Sequence, residues 1–282
     1  MNFEIYNEDC IVGMKRLADN SVDCIITDLP YNLTACKWDL TPIDLPAMWE
    51  QFRRILKPQC SAVMFASGKF TFKLVASNFE QFKYKWIWVK NAPTMFVQAK
   101  NAPMRKYEEI CVFSDGSINH ASCTTRRMKY NPQGVVPCVI VKDKDYSNQP
   151  SQLREGGRGS KWERHNRKKA FGNTLGKRSS HIDYYIQEQT GYPTDVLNFK
   201  APHDVKKLHP SQKPTDLLEY LIRTYTDEGE TVLDATMGSG STGVAAINTG
   251  RNFIGFELEQ KFFDIAQKRL TDAQNDKLQR LF

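Results

Sequence analysis

Four consecutive residues near the start of the chain, Asp28, Leu29, Pro30 and Tyr31, combine a carboxylate, a rigid backbone and an aromatic ring. They follow the β-branched run 22–27, which predicts a strand that would present them on one short loop. The Asp28 carboxylate and the Leu29 carbonyl could accept both hydrogens of an amino group and stabilise positive charge developing on its nitrogen. Pro30 would hold that carbonyl in place, and Tyr31 could stack on a planar ring, a contact worth about 1 to 3 kcal/mol. A tetrapeptide of this kind also occurs in ordinary turns, so its context decides.

A second segment, 234–243, is rich in glycine and lies between a predicted strand and an alanine-rich predicted helix. Such a loop lets a ligand approach the backbone and directs amide donors at it. A phosphate-binding loop needs Lys where Ser241 stands, which disfavours a nucleoside triphosphate. Gly238, Gly240 and Gly243 have the spacing of the dinucleotide fingerprint, between a predicted strand and a predicted helix. Glu257 ends the next predicted strand, about where a ribose-binding carboxylate is expected. A ribose-bearing ligand fits this pattern, and S-adenosylmethionine is one such ligand.

Length and composition predict a soluble globular protein with one core and an insertion. The chain has 282 residues, of which 40% are hydrophobic and 25% charged. No apolar run approaches the roughly 18 residues of a membrane helix, and residues 1–9 do not resemble a secretory signal. The seven cysteines are scattered, without two-residue spacings, which favours reduced thiols in a cytoplasm over disulfides or a zinc site.

Positive charge is concentrated in one segment. Residues 120–180 contain fourteen Lys and Arg against four Asp and Glu, a net +10, whereas the whole chain carries +7. The segment is also rich in Gly, Ser, Asn and Gln, which predicts an irregular insertion. Its charge favours a polyanionic partner, bound with salt-sensitive affinity. A solvated basic loop without a ligand is the alternative.

Strands and helices are predicted to alternate along most of the chain, which favours a mostly parallel sheet covered on both faces. In such sheets ligands lie at the carboxyl ends of the strands, where both key segments are predicted. The predicted strands cover 3–7, 22–28, 61–67, 84–90, 108–114, 231–235 and 252–257, and the predicted helices cover 11–18, 46–56, 69–79, 215–226, 241–248 and 261–270.

The two segments and their order resemble the amino-methylating DNA methyltransferases of the β class, in which the catalytic motif precedes the cofactor motif. The resemblance covers nearly the whole chain outside the basic insert and includes the segments 7–10, 86–90, 209–214 and 254–257. The catalytic motif has leucine at position 29, where the family's Asp-Pro-Pro-Tyr motif has its first proline. Leu29 keeps the main-chain carbonyl, but we expect this carbonyl to be held less rigidly than in a proline.

The resemblance implies an α/β fold: a mostly parallel, seven-stranded, methyltransferase-type (Rossmann-like) sheet with helices on both faces, a circularly permuted motif order and an irregular basic insert. We expect the catalytic part at 1–116, the target-recognition insert at 117–205 and the S-adenosylmethionine-binding part at 206–282.

The resemblance also assigns site residues, and no metal ligand is among them. For catalysis they are Asp28, Leu29, Pro30 and Tyr31. For the cofactor they are Asp9, Cys10, His209, Lys213, Asp234, Met237, Gly238, Ser239, Gly240, Ser241 and Glu257. DNA contacts are expected from two places. After the catalytic loop they are Asn32, Lys37 and Trp38, and in the basic segment they are Arg126, Arg127, Lys129, Arg154, Arg158, Arg167 and Lys168.

Some of these roles have structural alternatives. Asp9 and Glu257 could cap strand ends, and His209 and Lys213 could cap the following helix. Trp38 could close over a base or only pack. Trp86 and Trp88, which are not among the assigned residues, could belong to the core or to the pocket.

The resemblance implies a site-specific methyltransferase that transfers a methyl group from S-adenosylmethionine to adenine N6 in double-stranded DNA. Cytosine N4 and an RNA substrate are alternatives within the same fold. A small-molecule or protein methyltransferase would not need the basic segment, and a non-catalytic DNA-binding module would not need an intact catalytic motif. Expected partners are double-stranded DNA, a second copy of the chain and a cognate restriction endonuclease. We expect no association with a membrane. The expected location is the cytoplasm of a bacterial or phage-infected cell, at the nucleoid.

Overall fold

The computed structural model describes residues 2–31, 43–119, 124–143, 184–201, 208 and 212–279. The chain divides into two compact units. The first contains Met1–Ile118, Thr124–Asn131 and Thr194–Phe282, and the second contains Asn119–Cys123 and Pro132–Pro193. Residues 124–131 and the described residues after 193 thus group with the first unit, whereas the predicted insert covers 117–205.

The first unit is built on an eight-stranded sheet. Its order is β1, β10, β9, β2, β3, β5, β4, β8, and β5 alone runs antiparallel to its neighbours. All seven predicted strands are present, and the short strand β8, from the predicted insert, adds an eighth at the β4 edge. The strands are β1 Phe3–Tyr6, β2 Val22–Thr27, β3 Leu56–Ala66, β4 Phe82–Thr94, β5 Arg105–Ser114, β8 Val196–Asn198, β9 Thr231–Asp234 and β10 Asn252–Phe256.

The central strand β2 joins the two halves of the chain. Its six residues are all buried, which is typical of a parallel strand covered on both faces. Its one buried carboxylate, Asp23, is satisfied by Lys57 Nζ at 2.7 Å and by the Thr231 amide at 3.0 Å. The second contact fixes β2 beside β9, a strand more than 200 residues later in the chain.

Six helices cover the sheet of the first unit within its described residues. They are α1 Cys10–Met14, α2 Leu45–Ile55, α3 Lys69–Ser77, α4 Thr215–Tyr225, α5 Ser241–Thr249 and α6 Gln260–Gln279. The predicted helix 11–18 is shorter in the structure because turns replace helix after Met14, and the predicted helix 261–270 continues to Gln279.

The two faces of the sheet are covered by different helices. Along β3, Val63 and Phe65 face the core formed with α4, α5 and α6, whereas Ala62 and Met64 face the core formed with α1, α2 and α3. This alternation has the two-residue period of a strand.

Trp86 and Trp88 belong to the core. Both are buried among the residues that pack with α4, α5 and α6. Their indole nitrogens donate to the Tyr225 hydroxyl at 2.7 Å and to the Phe199 carbonyl at 2.9 Å, respectively.

Within its described residues, the second unit contains an antiparallel pair, β6 Val136–Asp143 and β7 Tyr184–Thr190. Gly134 and Gly191 beside this pair have positive φ angles of 83° and 79°, and a side chain on Gly191 would collide with the Gly134 carbonyl. Among the described residues of either unit, none of the helices is long and apolar enough to cross a membrane.

Candidate active site

The two key loops meet at one edge of the sheet. Because β2 and β9 are parallel neighbours, Asp28 and Ala235 follow them at the same carboxyl end. The Thr236 hydroxyl donates to the Asp28 main-chain carbonyl at 3.0 Å and lies 3.0 Å from the Thr27 hydroxyl. The predicted catalytic loop and the predicted cofactor loop are therefore joined by hydrogen bonds.

A cavity of about 470 Å³ lies along this edge, within the size range of small-molecule sites. The predicted residues that line it are Asp9, Cys10, Asp28, Pro30, Lys213, Asp234, Met237, Gly238, Ser239, Ser241 and Glu257. His209 lies outside the described residues. Leu29, Tyr31 and Gly240 are described but do not line the cavity.

Asp234 organises the start of the glycine loop. Its carboxylate accepts the Thr236 amide at 3.1 Å and the Thr242 hydroxyl at 2.6 Å, which ties the end of β9 to the first turn of α5. Burial raises the pKa of Asp234 to about 6, although these hydrogen bonds partly oppose the shift. The side chain is therefore ionised near neutral pH and protonates in mild acid.

Glu257 and Asp9 line the part of the cavity around β10 and α1. Both carboxylates accept main-chain amides, Glu257 just after the end of β10 and Asp9 at the start of a helix rather than at a strand end. Glu257 accepts the amides of Gly238 at 2.9 Å and Glu259 at 2.8 Å, and burial raises its pKa. Asp9 caps α1 by accepting the Ile11 amide at 2.9 Å and that of the next residue. Since both side chains also face the cavity, capping and ligand binding are compatible.

Gly240 supports the loop from behind rather than facing the cavity. Its φ angle is 78°, and a Cβ there would meet Leu270 and Ala266 of α6. Its amide donates to the Met237 carbonyl at 2.8 Å. From the same helix, Arg269 donates to the Ser239 carbonyl at 2.5 Å. Gly240 thus allows α6 to approach the loop closely, and its expected contact with the cofactor stays a prediction.

The Asp28 carboxylate forms two short contacts. One oxygen accepts the Tyr31 hydroxyl at 2.5 Å, and the other pairs with Lys213 Nζ at 2.5 Å. Burial raises the pKa of Asp28, and the Lys213 ammonium acts in the opposite direction. Lys213 therefore does not cap α4, whose N-cap is Pro214; its ammonium lies at the catalytic loop.

Leu29 is anchored by packing. Its side chain is 2% exposed and belongs to the core formed with α1, α2 and α3. Burial of the leucine side chain restrains a position that a proline ring restrains in the family's usual motif, and the expected loosening of the carbonyl stays a prediction. The Tyr31 ring stacks on Phe70 with centroids 4.8 Å apart, so that the aromatic ring is also held in place.

Sequence reasoning missed Glu108. This side chain of β5 lies 3.4 Å from Lys213 and 2.6 Å from Lys90, two lysines from distant parts of the chain. Glu108 and Glu109 are adjacent acidic residues, and they lie between the basic residues 105–106 and the apolar run 110–113. Nothing in that pattern distinguishes the one that faces the site, because strand register decides it.

The cavity is strongly negative. Its described lining contains seven carboxylates and one ammonium group, that of Lys213; the carboxylates are Glu8, Asp9, Asp28, Asp44, Asp234, Glu257 and Glu259. One oxygen of Glu8 is buried without a hydrogen-bond partner among the described residues. Such a lining repels phosphates and suits a ligand with hydroxyl groups and positive charge. S-adenosylmethionine, with a sulfonium, an ammonium and a ribose, fits this set of groups.

The predicted DNA-binding residues are only partly described. Asn32, Lys37, Trp38, Arg154, Arg158, Arg167 and Lys168 lie outside the described residues. Arg126 and Arg127 are exposed near a short 3-10 helix, Thr124–Arg126. Lys129 instead pairs with Asp227 at 2.7 Å and Glu230 at 2.5 Å, so that its ammonium is occupied by a structural contact.

The connection between β4 and β5, together with the strand ends on either side of it, contains basic residues that we did not predict as DNA contacts. Residues 90–106 include Lys90, Lys100, Arg105 and Lys106 and no acidic residue. Lys100 and Lys106 are exposed. Because β4 runs in the same direction as β2, this connection leaves the sheet at the edge where Asp28 lies.

Comparisons with known proteins agree with this architecture. The DNA methylase family model (N6_N4_Mtase) matches residues 22–268. The type II methyltransferase M.HindIII of Haemophilus influenzae is 25% identical over 96% of this chain and 96% of its own. The DNA adenine methyltransferase YhdJ of Escherichia coli is 26% identical over 96% of this chain and 83% of its own. The crystal structure of the M1.HpyAVI–SAM complex superimposes with a TM-score of 0.54 at 23% identity, over 95% of this chain and 100% of that one.

Proposed function

We propose, from the premise that this chain belongs to the DNA methylase family, that it transfers a methyl group from S-adenosylmethionine to the N6 nitrogen of adenine in double-stranded DNA. The observation that carries the proposal is the hydrogen bond between Thr236 and the Asp28 carbonyl, which joins the two loops beside one cavity. A donor held by the glycine loop and an amino group held by Asp28 would then lie side by side.

The residues around the negative cavity are suited to the cofactor. Glu257 would accept the ribose hydroxyls, and Asp234 and its neighbours in the glycine loop would face the positively charged methionine end. Cys10 and Met237 supply apolar surface, and burial raises the pKa of the Cys10 thiol to about 12, so that it stays protonated. The cofactor, when bound, supplies an electrophilic methyl group.

Asp28 and the Leu29 carbonyl would bind the target amino group. An exocyclic amino nitrogen is a poor nucleophile because its lone pair is delocalised into the ring. Two acceptors aimed at its hydrogens favour the tetrahedral geometry and stabilise the positive charge that develops, without a strong base. Tyr31 would stack on the base after it leaves the helix, which compensates for part of the few kcal/mol that extrusion costs.

Adenine is the proposed base for two reasons. Within the family, an acidic first residue in the catalytic motif is associated with methylation of adenine N6. In addition, the similar protein YhdJ is named a DNA adenine methyltransferase. Cytosine N4 is the second candidate, since the family model covers both amino groups. The named relatives are DNA methyltransferases, so RNA is tested as a competitor rather than proposed.

The proposal extends to partners and cellular setting. Double-stranded DNA is the macromolecular substrate, and the chain would act in the cytoplasm of a bacterial or phage-infected cell, at the nucleoid. A homodimer and a cognate restriction endonuclease are proposed because the relatives include type II methyltransferases. Sedimentation with and without DNA would test the dimer, and endonuclease protection of methylated DNA would test the pairing.

The direct test is transfer of an isotopically labelled methyl group to unmethylated duplex DNA, followed by digestion and separation of the nucleosides. We expect N6-methyladenine from the wild type and no label from Asp28→Ala. Asp216→Ala, which removes an exposed carboxylate on α4, should retain wild-type transfer. Labelled N4-methylcytosine would reject the base assignment, and label that appears only in added RNA would reject DNA as the substrate.

A further inference from the structure

The Asp28 carboxylate is engaged in a way that conflicts with its proposed task. The Lys213 ammonium lies 2.5 Å from Asp28 Oδ2, and the other oxygen accepts the Tyr31 hydroxyl. The side chains of Asp28 and Lys213 are only 17% and 11% exposed, so that solvent screens their interaction weakly. An ammonium at this point opposes the positive charge that must develop on the target nitrogen. If the proposed function is correct, Lys213 has to leave Asp28 during turnover.

Glu108 offers an alternative acceptor for Lys213. Its Oε2 atom is 3.4 Å from Lys213 Nζ, is buried, and has no hydrogen-bond partner among the described residues. A buried carboxylate oxygen that accepts no hydrogen bond is costly, and a charge-assisted hydrogen bond to it would be short, about 2.8 Å. The ammonium therefore needs to move by only a fraction of an ångström to exchange one carboxylate for the other.

The surroundings of the pair favour an exchange without a change in net charge. Lys90 pairs with the other oxygen of Glu108 at 2.6 Å and lies over the Trp88 ring. Lys213 lies over the Phe65 ring, 4.9 Å from its centroid, a surface that stabilises the ammonium in either position. Two carboxylates and two ammonium groups thus form a neutral cluster.

The protonation states suit the exchange. Despite burial, Asp28 and Glu108 together raise the pKa of Lys213. Burial also acts against ionisation of Glu108, but Lys213 and Lys90 hold its pKa below the ordinary value. Near neutral pH the lysine is therefore charged and Glu108 ionised. Among the described residues, the titratable groups that the contacts place around Lys213 are Asp28 and Tyr31 on the catalytic loop, Glu108 on β5 and, through Glu108, Lys90 on β4.

We propose that Glu108 is a positioning residue that takes the Lys213 ammonium from Asp28 as the target amino group arrives. Glu108 does not touch the base or the cofactor in this scheme. It acts through Lys213 and frees one carboxylate oxygen of Asp28 to accept a hydrogen from the amino group. This role rests on the proposed function, because it applies to a reaction in which Asp28 must be a free acceptor.

The test compares Glu108→Gln with Glu109→Gln. Glu109 is the neighbouring carboxylate on the same strand, and its partners are Lys85 and Thr71 rather than Lys213. We expect Glu108→Gln to lower kcat about tenfold to a hundredfold at neutral pH, with the dissociation constant for S-adenosylmethionine within about twofold of wild type. Glu109→Gln should keep the wild-type kcat.

The pH profile distinguishes positioning from a merely structural role. Removing the Glu108 charge lowers the pKa of Lys213, so that the lysine loses its proton at a lower pH and releases Asp28. We therefore expect kcat of Glu108→Gln, relative to wild type, to recover as the pH rises toward about 10. Glu108→Asp keeps the charge on a shorter side chain and should lose only a few-fold in kcat, without that recovery.

Three results would overturn the proposal: a wild-type kcat in Glu108→Gln, a reduced kcat that does not recover at high pH, or loss of cofactor binding alone. If Glu108→Gln does not fold, Glu108→Asp decides, and an unchanged kcat in that variant rejects the role. Failure of the proposed function looks different, because the wild type itself would then transfer no methyl group to DNA.

Discussion

The Thr236 hydroxyl donates to the main-chain carbonyl of Asp28 at 3.0 Å. This contact joins two residues from opposite halves of the chain and sets the distance between the loop proposed to hold the methyl donor and the loop proposed to hold the amino group. A net hydrogen bond contributes about 1 kcal/mol, but alignment of two reactants can matter more than stability.

Replacing Thr236 with valine should slow methyl transfer more than it weakens cofactor binding. Thr236→Val removes the hydroxyl at nearly constant volume, so that the Asp28 loop loses its hydrogen bond to the glycine loop. We expect kcat to fall about tenfold, with a change in cofactor affinity of less than about threefold. Single-turnover kinetics and calorimetry measure the two quantities. Thr236→Ser restores the hydroxyl and should recover most of kcat; equal loss in both variants would contradict the role of the hydrogen bond.

Cofactor affinity should weaken in mild acid because of Asp234. Burial raises the pKa of this carboxyl to about 6, and a cationic ligand binds the ionised form better. Affinity should therefore be constant above neutral pH and decrease as the pH falls through about 6, with release of a proton on binding below neutral pH. Calorimetry in buffers with different ionisation enthalpies measures that proton.

The variant Asp234→Asn separates this carboxyl from its neighbours. Burial also raises the pKa values of Asp28 and Glu257, so that either could contribute to the same titration. The asparagine variant should bind the cofactor more weakly at every pH and lose the dependence near pH 6. A retained dependence would assign the titration to Asp28 or Glu257 instead.

Gly240→Ala should destabilise the protein through packing. Gly240 has a φ angle of 78°, and a Cβ there would meet Leu270 and Ala266 of α6, whereas Gly229, at 83°, has open space around the same position. Both alanine variants incur backbone strain of about 1 to 3 kcal/mol, and Gly240→Ala adds steric overlap. Urea denaturation should show a larger loss of unfolding free energy for Gly240→Ala than for Gly229→Ala. Equal losses would show that α6 adapts to the added methyl group.

Neutralising Lys100 and Lys106 should reduce the salt dependence of DNA binding. Lys100 lies on the connection between β4 and β5, and Lys106 lies at the start of β5. Both are exposed in the acid-free segment 90–106, at the sheet edge where Asp28 lies. If each contacts one phosphate, Lys100→Ala with Lys106→Ala lowers the slope of log affinity against log salt by about 2, nearly equally for all DNA sequences. Lys268→Ala, an exposed lysine of α6, is the matched control and should leave the slope unchanged.

The strands and the chemistry of the site could be predicted because their signals are local. The buried run 22–27 and the glycine segment 234–243 each combine an element with the residues that follow it, and parallel sheets place ligands at such ends. The ends of α1 and α6 were predicted less well because apolar spacing does not mark where a helix frays or continues. The roles of Gly240 and Lys129 depend on Ala266, Leu270, Asp227 and Glu230, which are distant in sequence.

The sequence by itself determined the order of the elements, the residue types at both loops and the family to which they belong. Only the tertiary structure decided that Lys213 lies on Asp28, that Glu108 rather than Glu109 faces it, and that seven carboxylates surround one cavity. The physical reason is that side-chain pairing across a sheet depends on strand register and on which strands become neighbours. Those relations arise from packing between parts of the chain that are up to about 200 residues apart and leave no local pattern.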